Sequence, residues 1–477
     1  MQSTQTKQMD SVESESENQV LAKYSYKQEL KRTIKLFGSF AVAFSVISLT
    51  TGIFQNFGFV LTTVGPIGMW TFPIVGLGSL IVALVLSEIS TIVPVTGQCY
   101  TWVSKLVNPG VGWLVGWINF CYTLVILPSV DAALGPILAM IFDVPLTQQF
   151  QVTVAIIAIT IQVLLNIFSV KLSTHINNAA VVTESGGILV LTIVLVIAAL
   201  NNHQPISNMV AVNAQLNGQS LFTPILMSFL MGFYTLVAFE SAANMSDETQ
   251  AASKNVPKAM LLAVGLSTLF GTLFLAAATW SIKDLSAVEK SSTPLPLVIE
   301  SNLGSVVGKL FLIVVFVSIF ACGLISLTNS SRTIYAMSRD DVFFLSKVFK
   351  KINPKTSTPI FACIFVWVAG VIFLSITTPT VLAVASAAMP SLYYIITIIS
   401  YMTVRSKQQF PPHHFNLKKL GIPVMVIALI WLFFGLSILS IPEQFRGGTI
   451  VNISLCAVGI VLYLIHFRKK VKNHTSK

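Results

Sequence analysis

Acidic residues inside long apolar stretches are the first residues of this sequence that could do chemistry. They are Glu88, Asp131, Glu184 and Glu240. An ionised carboxylate within a bilayer costs at least about 2.5 kcal/mol unless it faces a polar cavity, pairs with a cation or takes up a proton. These residues therefore indicate a pathway for a proton, another ion or a polar solute.

Glu184 gives the clearest of these signals. It lies nearly two turns inside the stretch "NNAAVVTESGGILVL", between apolar residues and a glycine pair that permits close helix packing. Burial without a Lys or Arg in the same helix disfavours the charged form, so we expect Glu184 to bind and release a proton. The alternative is a permanently protonated side chain that only holds two helices together.

Glu88 and Asp131 lie nearer the ends of their stretches. Glu88, in "LSEISTIVPVTGQCY", is placed near the cytoplasmic end of its stretch, either for interfacial capping or for an ion pair with a gate loop. Asp131, in "ILPSVDAALGP", is placed either in a solvated vestibule or against a substrate. We assign both residues secondary or gating functions.

The composition requires a membrane environment for the elements that hold these residues. Of the 477 residues 54% are hydrophobic and 10% charged, with a mean hydropathy of +0.80. Apolar segments long enough to cross about 30 Å of hydrocarbon recur along the chain. We predict an all-α polytopic membrane protein whose twelve spans have their cores at 37–61, 68–92, 112–141, 149–169, 178–200, 221–246, 257–282, 308–332, 357–376, 380–403, 420–440 and 450–467.

The distribution of basic residues predicts the orientation. With the N-terminus in the cytoplasm, all of the 29 Lys and Arg residues face that side except Lys283, Lys290, Lys309 and Arg446. We expect both termini in the cytoplasm, a location in the plasma membrane, a polar, disordered arm over 1–36 and a basic tail over 468–477. The net charge of +11 then reflects this topology and contact with an anionic leaflet rather than a nucleic-acid partner. The oligomeric state is not predicted.

The reactive side chains exclude several classes of site. Five cysteines form no CxxC pair, and the six histidines lie near helix ends or in loops. We therefore expect no disulfide, no metal site and no haem, and the cofactor prediction is none apart from a proton gradient as the driving ion. The sequence contains no GxxxxGK[ST], HExxH or GxSxG motif, which argues against an ATP site and against an enzyme.

Two of the predicted spans are interrupted by small and polar residues. Span 1 carries Ser48, Thr50, Thr51 and Gly52 in mid-membrane, and span 6 turns polar at "AFESAAN". Ser and Thr can bond back to the preceding turn and leave an ordinary helix. Two interrupted spans that lie five apart are instead typical of an inverted-repeat transporter.

Four segments together resemble the amino acid, polyamine and organocation permease superfamily, and most closely its amino acid and choline transporter branch. They are "TTGIF", "PVTGQCYTWVSKLVNPGVGWLVGW", "VAFESAANMSDETQAASKNVPKAM" and "SRTIYAMSRDDVFFLSKVFKKINPKTSTP". The resemblance implies a five-plus-five inverted-repeat (LeuT-like) core with discontinuous spans 1 and 6. Its repeats would be 37–200 and 221–403, with two additional helices at 420–467.

The resemblance also implies a substrate site at the two interruptions. Free amides at Gly52, Ile53 and Phe54 would bind a carboxylate, because they lie at the positive end of a half-helix. Carbonyl oxygens around Ala238 and Phe239, and at 46–48, would bind an ammonium group. The full predicted set is Ser48, Thr51, Gly52, Ile53, Phe54, Tyr234, Ala238, Phe239 and Glu240.

Individual residues within this set have alternative interpretations. Tyr234 matches an aromatic residue that closes over substrate in similar transporters, although it could also pack against lipid. Glu240 matches a common acid that either contacts substrate or holds the unwound backbone. Two positions depart from the family pattern: Thr50 replaces a glycine, and Glu184 aligns with a lysine of proton-coupled relatives.

A predicted gate lies next to span 6. Asp247 and Glu248 end this segment, and we expect them to pair with Arg332 or Arg339 across the cytoplasmic entrance. In span 10, "MPSLYYIITIISY" places Ser391, Tyr393 and Tyr394 where they would face the pathway or pack.

The function predicted from these features is secondary active transport of an amino acid or a related compound such as 4-aminobutyrate, coupled to protons. A choline or polyamine transporter and an amino-acid exchanger of the same fold remain alternatives. An integral membrane enzyme is the alternative from a different class. A zwitterionic amino acid fits both half-helix ends at once, whereas an amine without a carboxylate would depend on acids such as Asp131 and Glu240.

Overall fold

The structure is a computed structural model. It describes residues 32–168, 170–216, 218–291, 293–356, 358–407, 410, 413–468 and 470. The predicted arm over 1–36 and the tail over 468–477 lie almost entirely outside the described residues.

Helices make up the membrane-spanning part of the described chain. Eleven are long and apolar enough to cross a bilayer, and a twelfth apolar helix, Ile360–Ile376, is shorter. This confirms the polytopic all-α architecture. Spans 1 to 12 are Leu36–Thr63, Pro66–Ile92, Pro109–Ile141, Gln148–Phe168, His175–Asn201, Phe222–Glu248, Ala252–Trp280, Ser305–Arg339, Ile360–Ile376, Pro379–Arg405, Lys418–Ser440 and Glu443–Phe467.

Span 1 is broken at one residue. The helices Leu36–Ile47 and Leu49–Thr63 are separated by Ser48, whose φ of 36° and ψ of 91° cannot continue an α-helix. The Ser48 hydroxyl accepts a hydrogen bond from the amide of Thr51 and so caps the second half. The predicted discontinuity of span 1 is confirmed.

Span 6 is broken over a longer stretch. The helix Phe222–Thr235 ends before a non-helical segment, and a 3-10 helix then runs over Phe239–Glu248. Ala238, between them, has a φ of 57°, in the left-handed region. Span 6 is therefore also discontinuous, as predicted. The pseudo-twofold relation between 37–200 and 221–403 stays a prediction.

Burial separates a core of spans from the periphery. In the most apolar 18-residue stretch of span 10, 83% is buried within the protein, against 17% in the same stretch of span 12. The broken spans 1 and 6 are also mostly buried. Spans 11 and 12 thus lie outside the core and present apolar side chains to lipid.

The two ends of the bundle differ. We call the membrane face that holds residue 32 the N-side and the opposite face the far side. A cavity of about 330 Å³ opens on the far side, between the outer half of span 1, the end of span 3, the start of span 10 and the helix Pro294–Leu303. On the N-side, residues 33–34 pair with the end of span 6 and the chain is closed. This conformation is open toward the far side.

Candidate functional site

Glu184 lies against the break in span 1. Its side chain is 2% exposed, and its Oε1 accepts a hydrogen bond from the amide of Thr50 at 3.0 Å. The Thr50 Oγ1 lies 2.9 Å from both this oxygen and the Ser318 Oγ of span 8. The Ser48 hydroxyl donates to the same carboxylate oxygen at 3.3 Å. Spans 1, 5 and 8 therefore meet at one carboxylate.

This arrangement corrects two details of the sequence interpretation. Glu184 is not surrounded only by apolar groups, since three donors from span 1 reach it. The free amides also lie earlier than expected, because the amide of Gly52 already donates to Ser48 O at 3.0 Å, and Ile53 and Phe54 lie inside the helix. The positive end of this half-helix is at Thr50 and Thr51.

Gly52 lies directly against the side chain of Thr235, where the two broken spans pack together. A Cβ on Gly52 would lie 1.9 Å from the Oγ1 of Thr235, the last residue of the first helix of span 6. We expected this glycine to face the substrate. In the structure, the position that a Cβ would occupy points at Thr235. A glycine is needed here because no Cβ fits between the span 1 backbone and the side chain of Thr235.

Glu240 holds the break in span 6 through two tyrosines of span 10. Tyr393 Oη donates to its Oε1 at 2.8 Å, and Tyr394 Oη donates to its Oε2. Tyr394 in turn accepts a hydrogen bond from the amide of Ala238 at 3.1 Å. The Phe239 ring stacks on Tyr394 with their centroids 5.8 Å apart. This geometry agrees with the interpretation in which Glu240 supports the unwound backbone.

Tyr234 points to the floor of the far-side cavity rather than to lipid. Its hydroxyl donates to Gln55 Oε1 at 2.9 Å and lies 3.1 Å from the Ser129 Oγ of span 3. Gln55 and Phe54 line the cavity. The sequence analysis missed Gln55 and Ser129, although a glutamine in the middle of an apolar span is the kind of signal that identifies such a residue.

The predicted charge pairs close the N-side. Arg332 Nη2 lies 3.0 Å from Glu248 Oε1, and Arg339 Nη1 lies 3.4 Å from Asp247 Oδ2. Asp247 also accepts a hydrogen bond from the amide of Thr96 at 3.1 Å, which joins span 6 to the segment after span 2.

A second polar contact next to these charge pairs was not anticipated. Asn244 accepts a hydrogen bond from the amide of Gly97 at 3.2 Å and donates to the Asn329 side chain of span 8. The N-side closure therefore joins spans 6 and 8 to the short helix Gln98–Leu106.

The remaining predicted residues lie outside the two breaks. Glu88 forms an ion pair with Arg405 at the end of span 10, at 2.8 Å, and accepts a hydrogen bond from the amide of Leu417 at 3.0 Å. It thus anchors the connection between spans 10 and 11. Asp131 is buried and contacts Gln162 of span 4. Ser391 is buried in span 10.

Among the described residues, no group of three or more His, Cys, Asp and Glu side chains is arranged to hold a metal ion. The oxygen atoms around Glu184 come mainly from Ser and Thr hydroxyls. The chemistry that these groups can perform is hydrogen bonding and proton exchange rather than bond cleavage.

Comparison with known proteins gives a consistent result. The family model described as "Amino acid permease" matches residues 34–464. The amino-acid permease BAT1 homolog of Oryza sativa subsp. japonica is similar at 28% identity, over 93% of this chain and 92% of its own length. Amino-acid permease BAT1 of Arabidopsis thaliana is also 28% identical, over 89% and 88%. The GABA-specific permease of Saccharomyces cerevisiae is 22% identical, over 96% and 84%.

Proposed function

We propose that this chain, which belongs to the amino acid permease family, is a secondary active transporter that carries an amino acid or a related amino compound by alternating access. The observation that carries the proposal is the pair of broken spans, which meet at Gly52 and Thr235 between an open far side and a closed N-side. Irregular backbone at membrane depth is tolerated where it borders a cavity or a bound solute. The names of the relatives, which include permeases for amino acids and for GABA, support the same substrate class.

The substrate site in this proposal lies between the two breaks. The carboxylate of the substrate binds at the positive end of the second half of span 1, where the amides of Thr50 and Thr51 point. Its amino group binds near the carbonyl oxygens at 46–48 and near the Phe239 ring, which supplies a cation–π surface. Tyr234 closes the site from the far-side cavity. An amine without a carboxylate would bind less tightly, because Glu240, which would have to bind its positive charge, already accepts hydrogen bonds from two tyrosine hydroxyls.

Proton coupling follows if Glu184 and the substrate compete for the same donors. As a carboxylate, Glu184 occupies the Thr50 amide. Taking up a proton removes its negative charge and weakens its hold on that amide by about 1–2 kcal/mol, the difference between a charged and a neutral acceptor. The substrate carboxylate then takes the Thr50 amide. The proton and the substrate are carried together, and the release of both restores the original contact.

The family motifs and the distribution of basic residues support a cytoplasmic location for the N-side and insertion into the plasma membrane. The far-side cavity would then face the exterior, and transport would run inward with the proton gradient. The absence of catalytic motifs supports a transporter that is not an enzyme.

Uptake into proteoliposomes tests this function. The purified protein should accumulate a radiolabelled amino acid under an inward proton gradient, lose accumulation with a protonophore and show counterflow. Competition by neutral amino acids, 4-aminobutyrate, choline and putrescine defines the substrate class. A protein that shows no counterflow with any of these compounds, or that needs sodium instead of a proton gradient, contradicts the proposal.

Glu184→Gln tests the coupling residue. This neutral variant should retain exchange and counterflow but accumulate less substrate than the unmodified protein under the same proton gradient, because its side chain cannot take up a proton. Glu443→Gln, at an exposed glutamate on the far side, is the matched control and should accumulate substrate like the unmodified protein. Accumulation by Glu184→Gln at the unmodified level would place the coupling group elsewhere.

A further inference from the structure

A second buried carboxylate lies apart from the two breaks, in the part of the bundle built from spans 3, 4 and 8. Asp131 of span 3 is 0% exposed. Its Oδ1 accepts a hydrogen bond from Gln162 Nε2 of span 4 at 2.8 Å, and the same amide nitrogen donates to the carbonyl of Phe320 in span 8 at 3.2 Å. No donor other than Gln162 contacts Asp131 among the described residues.

The other oxygen atoms of this pair are both acceptors without a hydrogen bond. Neither Asp131 Oδ2 nor Gln162 Oε1 has a hydrogen-bond partner in the described part of the chain. A buried charge held by a single neutral donor is strongly unfavourable, and so are two buried acceptors left unsatisfied. One proton on Asp131 Oδ2 removes both problems, because a carboxylic acid and a primary amide can form two parallel hydrogen bonds.

The surroundings leave room for a proton but not for a metal cation. A Cβ on Gly323 of span 8 would lie 2.3 Å from Gln162 Nε2 and 2.5 Å from Asp131 Oδ1, so the pair is packed directly against the span 8 backbone. Hard cations such as Ca²⁺ and Mg²⁺ take about six oxygen ligands or more, whereas Asp131, Gln162 and the Phe320 carbonyl together offer four among the described residues. Among the described residues, the Tyr234 hydroxyl of span 6 and the Cys322 thiol of span 8 are near enough to Asp131 to interact with it electrostatically, and span 4 contributes no charged side chain.

The position of the pair connects it to the far-side cavity. Ala132 and Ala133, which directly follow Asp131, line that cavity. Ser129, two residues before it, contacts the hydroxyl of Tyr234. The cavity therefore borders the turn of span 3 that carries Asp131, and Tyr234 packs against the preceding turn, while the carboxyl group itself is buried.

We propose that Asp131 and Gln162 form a second proton-binding site, loaded from the far-side cavity and distinct from Glu184. A proton from water binds Asp131 Oδ2, and the resulting hydroxyl donates to Gln162 Oε1. When the tyrosine and span 3 rearrange in the transport cycle, the acid–amide pair opens and the proton leaves. This site rests on the proposed proton-coupled transport and adds a second proton to it. Whether Asp131 carries a proton can be measured in protein that is not transporting substrate.

Infrared spectroscopy of the full-length protein in lipid measures directly whether Asp131 carries a proton, from the difference between the spectra of the unmodified protein and of its variants. The C=O stretch of a protonated carboxylic acid is separate from that of a carboxylate, and an Asp131 band should be present at neutral pH in the substrate-free protein. Asp131→Asn should remove this band and keep the fold, because asparagine retains an acceptor for Gln162 Nε2 and a donor for Gln162 Oε1. Asp143→Asn, at a 75% exposed carboxylate on the same side, is the matched control and should leave the band unchanged.

Transport stoichiometry provides the second measurement. The unmodified protein should move two protons per substrate, and Asp131→Asn and Glu184→Gln should each lose one. A band that survives in Asp131→Asn, a stoichiometry unchanged by this variant, or a sodium requirement at this site would each overturn the proposal. If the unmodified protein itself shows no transport, the proposed function is at fault, whereas the infrared band still decides whether Asp131 binds a proton.

Discussion

The ion pair between Arg332 and Glu248 should set the closing equilibrium of the N-side. Arg332 is 4% exposed and Glu248 13%, and both Nε and Nη2 of the arginine lie 3.0 Å from Glu248 Oε1. Each hydrogen bond to a charged group contributes about 1.5–3 kcal/mol. Because both nitrogens share one oxygen and the glutamate is partly solvated, we take about 2 kcal/mol for the pair. Arg332→Gln should therefore increase the population open to the N-side by about 30-fold.

Cysteine labelling from the N-side measures this change. Met245 is 3% exposed and packs beneath the gate against Ile34, Val42 and Ile325. In a protein without its five native cysteines, Met245→Cys should react slowly with a membrane-impermeant maleimide, and about 30-fold faster when Arg332→Gln is added.

The control uses an exposed ion pair on the same side. Lys350 lies 2.8 Å from Asp341, and the two side chains are 40% and 61% exposed, so Lys350→Gln should change the labelling rate less than about twofold. Equal rates for Arg332→Gln and Lys350→Gln in monodisperse protein would refute the assignment of the gate.

Three other variants test separate contacts. Gly52→Ala should abolish uptake while leaving membrane insertion intact, since its Cβ would lie 1.9 Å from Thr235 Oγ1; normal uptake would show that spans 1 and 6 are not held this closely. Tyr394→Phe should raise the apparent Michaelis constant for substrate uptake, because the Ala238 amide and Glu240 each lose a hydrogen bond to the Tyr394 hydroxyl, at a cost of about 1–3 kcal/mol. An unchanged constant would show that Tyr394 does not support the substrate site. Glu88→Gln should lower the melting temperature in detergent by weakening the contact with Arg405, and a melting curve identical to that of Lys350→Gln would contradict this.

The elements of the fold were predictable because they depend on local patterns. Span length follows from apolar segment length, and the two breaks follow from Ser48 and its polar neighbours and from "AFESAAN". Span 9 is shorter than expected because its helix begins only at Ile360, after Pro359. Local composition thus predicted the order of the spans and most of their ends closely, whereas span 8 ends at 339 rather than 332 and span 12 begins at 443 rather than 450.

The contacts within the site were less predictable because they join residues that are distant in sequence. Glu184 and Thr50 are 134 residues apart, and no periodicity within either span indicates that they meet. We expected Gly52 to contact the substrate, whereas it contacts Thr235. The sequence could not distinguish the two, because a glycine beside a break permits close approach both by a ligand and by another helix. The ion pairs were easier to predict, because Glu248 and Asp247 require counter-ions. Span 8 offers only Arg332 and Arg339 on that side of the membrane.

The two breaks differ in the group that binds their free backbone amide directly. At the span 1 break, the amide of Thr50 binds the carboxylate of Glu184, which comes from span 5. At the span 6 break, the amide of Ala238 binds the hydroxyl of Tyr394, which comes from span 10. Spans 5 and 10 occupy equivalent positions in the predicted repeats, so the two breaks use the same pairing of spans with different chemistry. A tyrosine hydroxyl remains neutral and keeps its hydrogen bond at any physiological pH, whereas a carboxylate loses its charge when it takes up a proton. A proton on Glu184 would therefore release span 1 from span 5 directly, whereas at the span 6 break a proton would act only through Glu240, behind the two tyrosines of span 10.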